Sequence, residues 1–293
     1  MSLTAQTVQI ANSLPSMHQQ PVRANKRLGQ HFLKHPSLAR KIVAGLGLEE
    51  GDTVVEIGCG TGALTANLVG QGCRYIGVEV DDRLCSQLRR RFSDPGIEFL
   101  NRDILTLDLG EIRKRHAGNG FRVVGNLPYA ISSPILQHLA RHAAVMDLAV
   151  VMLQAEVADR LAARAGGRDY GVLSLIVQYH FRAEPLFIVP PQAFKPKPKV
   201  DSKVVRLVPR PHRALRPAEE SLFFGFIKQA FSQRRKTLRN CLGDVQPEAR
   251  ARLSRTLREL GYPSTVRAEK ISLTHFLQLF GALRGASRPC DLQ

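Results

Sequence analysis

The 293-residue sequence has no tryptophan, and its five cysteines form neither a CxxC pair nor a Cys/His spacing typical of a metal site. An odd, scattered set of thiols is typical of a protein in a reducing compartment. The sequence therefore predicts no metal centre, reduced cysteines and a cytoplasmic location.

Long apolar runs are also missing. No window approaches about eighteen continuous apolar residues, the length that a membrane-spanning helix needs. The first 22 residues contain neither Lys nor Arg, whereas signal peptides begin with basic residues and transit peptides are rich in arginine. We therefore expect no membrane association, and we interpret residues 1–22 as a flexible leader.

Acidic side chains are scarce relative to basic ones. There are 25 Asp and Glu residues and 42 Lys and Arg residues, which gives a formal net charge of +17. Residues 210–293 hold 16 of the basic and 7 of the acidic residues, so over half of the excess lies there. Such a protein attracts polyanions. A basic surface that serves only solubility is the alternative, and charge alone leaves both open.

The middle of the chain alternates short apolar runs with segments of helical periodicity, the pattern of a parallel sheet covered by helices. Predicted strands are 53–57, 74–80, 97–100, 122–125, 148–153, 183–189 and 202–208. Predicted helices are 38–46, 63–69, 82–92, 133–142 and 155–163. After residue 209 the periodicity is helical only, including 222–231 and 273–283. We therefore expect an α/β domain, a boundary near 209–217 and a second, all-helical domain.

A glycine-rich turn follows the first predicted strand in the segment VVEIGCGTG (54–62), which places glycines at positions 58, 60 and 62. Glycines let the backbone turn tightly and approach a ligand near the positive end of the next helix. The GxGxG spacing is tighter than the GxGxxG of dinucleotide-binding folds, and a turn without a ligand is the alternative. The motif is weak evidence when taken alone.

Polar side chains follow the ends of the next three strands. Glu79 comes 17 residues after the last glycine and is placed to accept hydrogen bonds from ribose hydroxyls. Asp103 could accept from an adenine amine, although a loop or capping role is the alternative, and Asn126 ends the fourth strand. Asp81 and Asp82 are interpreted as the start of a helix. Because open α/β sheets bind ligands at the carboxyl ends of their strands, we expect a nucleoside site there.

These motifs resemble a known family. EIGCGTG, Glu79, Asp103 and NLPY (126–129), in this order, resemble S-adenosylmethionine-dependent methyltransferases, and NLPY resembles the signature of enzymes that methylate the exocyclic amine of adenine. Five longer segments are similar to the bacterial KsgA family of small-subunit rRNA adenine dimethyltransferases: KRLGQHFL (26–33), LQAEVADRL (153–161), DYGVLSL (169–175), FKPKPKVDSKVVRL (194–207) and FSQRRKTLRNCL (231–242). The likeness covers roughly residues 26–283. Cys59 departs from the proline frequent in the family, and His31 from the asparagine that is also common.

The resemblance implies a Rossmann-like S-adenosylmethionine-dependent methyltransferase domain over residues 23–209 and a small all-helical, basic RNA-binding domain over 210–293. In that family the GQHFL segment closes over the cofactor, Glu79 would hold the ribose, Asp103 the adenine, and Asn126 would face both cofactor and target. The implied cofactor-binding residues are His31, Leu33, Gly58, Gly60, Glu79, Asp103 and Asn126.

The NLPY segment suggests how an adenine amine could be made reactive. The lone pair of this nitrogen is delocalised into the ring, which makes it a poor nucleophile. If the side-chain oxygen of Asn126 and the carbonyl of Leu127 accept the two amine protons, the lone pair is freed, and the same oxygens stabilise the positive charge that develops on nitrogen. Pro128 would stiffen the carbonyl, and Tyr129 would stack on the base. A plain strand-to-helix turn is the alternative.

The candidate RNA-binding residues are basic. Four lie in FSQRRKTLRN, which we predict to be a basic helix, and two lie in the proline-rich link 190–202: Arg234, Arg235, Lys236, Arg239, Lys195 and Lys197. For any one of these side chains, a solvated surface is the alternative.

We therefore expect a monomeric enzyme that dimethylates N6 of two adjacent adenosines near the 3′ end of 16S rRNA, with a role in small-subunit biogenesis. Its partner would be the small ribosomal subunit. One alternative is a large-subunit rRNA adenine methyltransferase of the resistance type, although FKPKPKVDS and FSQRRKTLRN favour the small subunit. The other is an assembly factor that mainly binds the immature subunit.

Overall fold

The structure is a computed structural model that describes residues 29–116, 120–211, 214–233, 235–243 and 246–285. The predicted leader and Arg234 lie outside the described residues. The described part forms nine strands and eleven α-helices. Among its helices, none is long and apolar enough to cross a membrane.

One seven-stranded sheet organises the chain. Its members are β2 (Thr53–Ile57), β3 (Arg74–Val78), β4 (Ile97–Leu100), β5 (Phe121–Asn126), β6 (Leu148–Gln154), β7 (Phe181–Val189) and β9 (Ser202–Pro209). Their order is β4-β3-β2-β5-β6-β9-β7, and the first five run parallel. Strand β9 is antiparallel to both of its neighbours. Two short strands, β1 (Phe32–Leu33) and β8 (Phe194–Lys195), pair separately and antiparallel.

The central strands are apolar because both of their faces are covered. Every residue of β2 (TVVEI) is buried, as are six of the seven residues of β6. Helices cover the two faces: α1 (Pro36–Ala44), α2 (Thr65–Leu68) and α3 (Asp82–Arg91) on one, and α4 (Leu109–Arg115), α5 (Ser132–Arg141), α6 (Ala155–Leu161) and α7 (Val172–His180) on the other. The parallel sheet with helices on both faces confirms the predicted fold class.

The C-terminal helices form a third apolar cluster of their own. They are α8 (Pro217–Ala230), α9 (Leu238–Cys241), α10 (Pro247–Glu259) and α11 (Leu273–Arg284). Three side chains from the α7 region, Tyr170, Leu175 and Tyr179, are buried in the same cluster. The Tyr170 hydroxyl also donates to the Ile271 carbonyl across 2.9 Å. The helical region is therefore packed on α7.

Two predictions about local structure were wrong. The strand expected to reach residue 80 ends at Val78, so Glu79 and Val80 lie beyond its carboxyl end. The segment FSQRRKTLRN is not one helix, because α8 ends at Ala230 and the Thr237 side chain caps a new short helix by accepting from the Asn240 amide. A threonine cap competes with continuation of the preceding helix.

Helices α4 and α7 and the short strands β1 and β8 were not predicted. Helix α7 (VLSLIVQYH) is buried on most of its surface, so its sequence lacks the polar stripe that reveals an amphipathic helix. The two-residue strands are too short for a periodic pattern. Pairing between β1 and β8 nevertheless brings two segments together that lie about 160 residues apart in the chain.

Candidate active site

A cavity opens at the carboxyl ends of strands β2 to β5. The strand ends contribute most of its polar wall: Gly58 and Gly60 after β2, Glu79 after β3, Asp103 after β4, and Asn126 to Tyr129 at the end of β5. The segment 29–32 forms another wall. The structure thus gathers the residues predicted from the four strand ends, together with His31, around one cavity.

The turn after β2 brings bare backbone to this cavity. Gly58 and Gly60 have φ values of +71° and +56°, a region that side chains disfavour. A Cβ atom on Gly60 would lie 3.1 Å from the Phe32 ring. Glycine at position 60 therefore suits this turn, because a side chain there would be strained and would require the Phe32 ring to shift.

Glu79 is held in place by the backbone around it. Its Oε2 accepts from the Gly60 amide at 2.8 Å and its Oε1 from the Asp81 amide at 2.9 Å. The Asn101 side chain donates to the Glu79 carbonyl at 2.9 Å. Burial raises the pKa of Glu79, and the backbone hydrogen bonds partly oppose that rise. Each carboxylate oxygen keeps a lone pair with which it can accept a ligand hydroxyl.

Asp103 both caps a turn and lines the cavity. Its Oδ1 accepts from the Leu105 amide at 2.9 Å at the start of the 3-10 turn Ile104–Thr106. No donor in the described residues bonds its Oδ2, which can accept from an amine. Asp81, by contrast, caps α3, as predicted, and it also pairs with Arg83 at 2.8 Å.

Asn126 is oriented by a hydrogen bond across the cavity wall. Its Nδ2 donates to the His31 carbonyl at 2.8 Å. Since only the NH₂ end of an amide can donate to a carbonyl, this contact distinguishes Nδ2 from Oδ1 and leaves Oδ1 as an acceptor. The following Leu127 amide donates to the Met152 carbonyl at 2.9 Å. No donor from the described part of the chain reaches Oδ1 of Asn126 or the Leu127 carbonyl oxygen.

Tyr129 lines the same cavity as Asn126 and Leu127, and it begins a 3-10 turn that Pro128 precedes. Its hydroxyl shares a hydrogen bond with Ser202, and burial raises its pKa. The His31 ring stacks on Tyr129 with centroids 5.1 Å apart and planes 29° apart. One face of the tyrosine ring is therefore covered by protein, and only its other face can receive a planar ligand.

Leu33 does not line the cavity. It is 5% exposed and packs in the core cluster that also contains Phe194, while its neighbour Phe32 takes the place on the wall. Sequence reasoning also missed two apolar wall residues, Val80 and Ile131, which are 51% and 36% exposed. Val80 directly follows Glu79 past the end of β3. An apolar residue at that position was the signal from which its place on the cavity wall could have been predicted.

The predicted RNA-binding residues lie outside the cavity. Arg235, Lys236 and Arg239 are exposed, and none of them forms a salt bridge with another described residue. Lys195 and Lys197 are exposed in and after β8, next to the cavity wall. No acidic side chain in the part of the chain that the structure describes forms a salt bridge with them.

A family model described as ribosomal RNA adenine dimethylase matches residues 22–283. The chain belongs to the ribosomal RNA adenine dimethylase family. The small subunit methyltransferase A of Bordetella bronchiseptica is 43% identical to this dimethylase over 91% of its chain and 97% of the relative. The protein of that name from Levilactobacillus brevis is 38% identical over 88% and 90% of the two chains.

Solved structures of two other proteins are similar to this dimethylase. A dimethyladenosine transferase from Plasmodium falciparum aligns with a TM-score of 0.71 and 25% identity over 87% of this chain and 98% of that one. The 23S rRNA methyltransferase ErmE aligns with a TM-score of 0.65 and 28% identity over 86% and 99%. The predicted resemblance and fold are confirmed.

The dimethylase is an S-adenosylmethionine-dependent enzyme, as predicted. The residues present fit this cofactor. Glu79 has lone pairs for the two ribose hydroxyls, Asp103 Oδ2 can accept from the adenine amine, and Gly58 and Gly60 line the cavity with backbone that carries no side chain.

Proposed function

We propose that this dimethylase converts two adjacent adenosines near the 3′ end of small-subunit rRNA to N6,N6-dimethyladenosine. The observation that carries the proposal is the orientation of Asn126, whose amide donates to the His31 carbonyl and leaves Oδ1 as an acceptor next to the Leu127 carbonyl. The curated relatives at 38–43% identity bear the name of small subunit methyltransferases.

We assign the cofactor to the wall made by the ends of β2, β3 and β4. Glu79 would accept from the ribose hydroxyls, and Asp103 from the adenine amine. The cofactor supplies, when bound, an electrophilic methyl group. Gly58, at the end of β2, is the part of this wall next to β5, since a Cβ on Gly58 would be 3.8 Å from the Asn126 carbonyl oxygen. Cofactor and target would therefore meet at Asn126.

Asn126 and Leu127 would prepare the target nitrogen. Two fixed acceptor oxygens take hydrogen bonds from the two amine protons and draw the nitrogen toward a tetrahedral geometry. The same oxygens stabilise the positive charge that the nitrogen acquires, and because they are already oriented, little reorganisation is needed. The methylated nitrogen would release its extra proton to solvent after the new bond has formed, so that no strong general base is required in the bond-forming step.

Tyr129 would hold the target base. The base must leave its stack to enter this cavity, so a single-stranded or loop site in RNA fits better than an intact duplex. Stacking on one aromatic ring is worth about 1–3 kcal/mol per base. Since His31 covers one face of Tyr129, the base would use the opposite face.

Basic side chains outside the cavity would contact the RNA backbone. Arg235, Lys236 and Arg239 are exposed and have no acidic partner in the described residues, so their charge is available to phosphates. We assign them, with Arg234 of the same segment, to the helical RNA-binding domain 210–293. Lys195 and Lys197 would contact phosphates nearer the target. The partner is the small ribosomal subunit, which a single copy of the enzyme would bind in the cytoplasm.

A large-subunit target is the second candidate, because the similar structure of ErmE is that of a 23S rRNA methyltransferase. The two are separated by incubating the protein with labelled cofactor and either undermethylated small subunits or naked large-subunit RNA, then mapping modified bases by mass spectrometry. Label on two adjacent small-subunit adenosines is the expected result. Label on large-subunit RNA alone would reject the proposal, and binding without label would favour a role in assembly only.

A further inference from the structure

His31 makes three separate contacts on the target side of the cavity. Its Nδ1 lies 2.7 Å from the Pro196 carbonyl oxygen, its ring stacks on Tyr129, and its own carbonyl accepts from Asn126. A carbonyl oxygen can only accept, so Nδ1 carries the proton in the first contact. One residue therefore contacts both the NLPY turn and the proline-rich link.

The main chain around His31 joins the same elements. Strand β1 pairs with β8, where Phe32 lies opposite Lys195 and Leu33 opposite Phe194. The Lys34 amide extends the pairing with a 2.9 Å bond to the Ala193 carbonyl. The imidazole adds a side-chain hydrogen bond between segment 29–34 and the exposed residues around the end of β8.

The exposure of that stretch explains why such a contact matters. Phe194 and Pro198 are buried, but Lys195, Pro196 and Lys197 between them are exposed. These lysines can hold a fixed position near the target only if the intervening backbone is held. The hydrogen bond from His31 to the Pro196 carbonyl holds the backbone at the middle of this stretch.

We propose that the His31 side chain is a positioning residue for the target base, acting through Tyr129 and Pro196. The inference rests on the proposed function and adds to it, because position 31 was expected only to line the cofactor site. The imidazole sets the plane of the Tyr129 ring, whose free face receives the base. It also fixes the backbone that carries Lys195 and Lys197. The role belongs to the side chain, since every substitution keeps the carbonyl that orients Asn126.

Three substitutions separate the contacts. His31→Phe keeps a ring against Tyr129 and removes the donor to Pro196, whereas His31→Asn keeps a short NH₂ donor and removes the ring. His31→Ala removes both. His35→Ala is the matched control, because His35 directly follows segment 29–34, is exposed and makes no side-chain cap hydrogen bond.

The first measurement is hydrogen–deuterium exchange of the cofactor-free protein. We expect exchange in peptides covering 194–202 to be several-fold faster in His31→Ala and His31→Phe than in wild type and His35→Ala. Peptides from β2, β5 and β6 should exchange at wild-type rates in all four variants, which shows that the sheet is intact. Unchanged exchange in 194–202 would reject the Pro196 part of the proposal.

The second measurement compares methyl transfer to undermethylated small subunits with binding of S-adenosylhomocysteine by calorimetry. For His31→Ala we expect kcat to fall about tenfold or more, with the cofactor Kd within about twofold of wild type. His31→Phe and His31→Asn should each recover part of the loss. A Kd that weakens in parallel with kcat, or wild-type kcat in His31→Ala, would overturn the proposal. If wild-type protein transfers no methyl to small subunits, the proposed function fails instead, and the target-positioning role fails with it.

Discussion

The carboxyl edge of the sheet and the basic surface formed by Arg235, Lys236 and Arg239 differ in how closely their groups are fixed. At the sheet edge, Glu79 and Asn126 each have hydrogen-bond partners at 2.8–2.9 Å that determine their orientation. The basic surface has exposed side chains without a salt-bridge partner among the described residues. Hydrogen-bond geometry therefore determines binding at the sheet edge, and positive charge alone determines binding at the basic surface.

The difference predicts which substitutions each region tolerates. At the sheet edge a change that preserves size but alters one donor or acceptor should be costly, because the whole arrangement depends on individual hydrogen bonds. On the basic surface an exchange of Arg for Lys should cost little, since a solvated phosphate contact needs a positive charge and little else.

The largest effect is expected at Asn126. Asn126→Ala removes one of the two acceptor oxygens, so kcat for methylation of small subunits should fall about 10²–10³-fold, as when one preorganised hydrogen-bonding group is lost. Asn126→Asp should fall similarly, because a carboxylate cannot donate to the His31 carbonyl. Subunit binding by filter retention is the control and should stay within about twofold. Dimethylation at a normal rate in either variant would remove Asn126 from the mechanism.

Glu79→Gln comes next. The substitution keeps the shape of the side chain but replaces one acceptor oxygen with an NH₂ group. A hydrogen bond to a charged group is worth about 1.5–3 kcal/mol, so the Kd for S-adenosylhomocysteine should rise at least about tenfold. Asp82→Asn is the control, since Asp82 is exposed on the neighbouring helix. Equal affinities for the two variants, measured by calorimetry, would contradict the assignment of Glu79 to the ribose.

Substitutions on the basic surface should change the salt dependence of RNA binding more than they change the rate of catalysis. Replacing Arg235, Lys236 and Arg239 together by Gln should lower the slope of log K against log salt for RNA binding by about two to three, at roughly 0.7–0.9 per lost phosphate contact. The kcat at saturating subunit concentration should stay near wild type.

Two control proteins test this prediction. Replacing three exposed basic residues of α3 and α4 by Gln gives the same charge change elsewhere on the molecule: Arg90, Lys114 and Arg115. Replacing Arg235 and Arg239 by Lys keeps the charge and should change affinity by less than about twofold. A control triple that loses as much slope as the first would show that net charge, and not this surface, determines binding.

The smallest effect on activity is expected at Glu56, whose role concerns stability. Glu56 lies in β2 with hydrogen bonds from Tyr75 at 2.6 Å and Thr65 at 2.8 Å. Burial raises its pKa to about 7 from 4.5, while those hydrogen bonds partly oppose the rise. Because the native state then binds the proton more tightly than the unfolded state, the free energy of unfolding falls as the pH rises from about 4.5 through 7.

Glu56→Gln tests this directly, since the amide cannot ionise. Between pH 5.0 and 7.5, wild type should lose roughly 2 kcal/mol of unfolding free energy relative to Glu56→Gln, at 1.36 kcal/mol per pKa unit. Urea denaturation at the two pH values measures the difference. Glu259→Gln, at an exposed helix end, should follow wild type. Parallel pH profiles for wild type and Glu56→Gln would mean that the buried carboxyl does not titrate in this range.

Much of the sheet edge could be predicted because its signals are local. A buried-type strand that ends in glycine, an acid or an amide identifies both the strand and the group it presents, as at Gly58, Glu79 and Asn126. The parallel order then places these ends together without any further information. The family resemblance added the cofactor and the chemistry.

The contacts that orient those groups could not be predicted. The bond from Asn126 to His31 joins residues 95 apart, and the one from His31 to Pro196 joins residues 165 apart. Neither leaves a periodic pattern. Phe32 lies on the cavity wall in place of the predicted Leu33, and which of the two side chains faces the cavity depends on the orientation of a two-residue strand. The break in the helix predicted for FSQRRKTLRN depends on one threonine cap. Contacts between residues distant in the chain, and one helix cap, determine these features.

A crystal structure of the dimethylase with S-adenosylhomocysteine and adenosine would test most directly how the amine is activated. We expect the adenosine N6 within about 3 Å of both Asn126 Oδ1 and the Leu127 carbonyl oxygen, with the base on the face of Tyr129 opposite His31. An adenosine bound elsewhere, or an Asn126 whose Oδ1 has turned to another donor while N6 lies free, would contradict it.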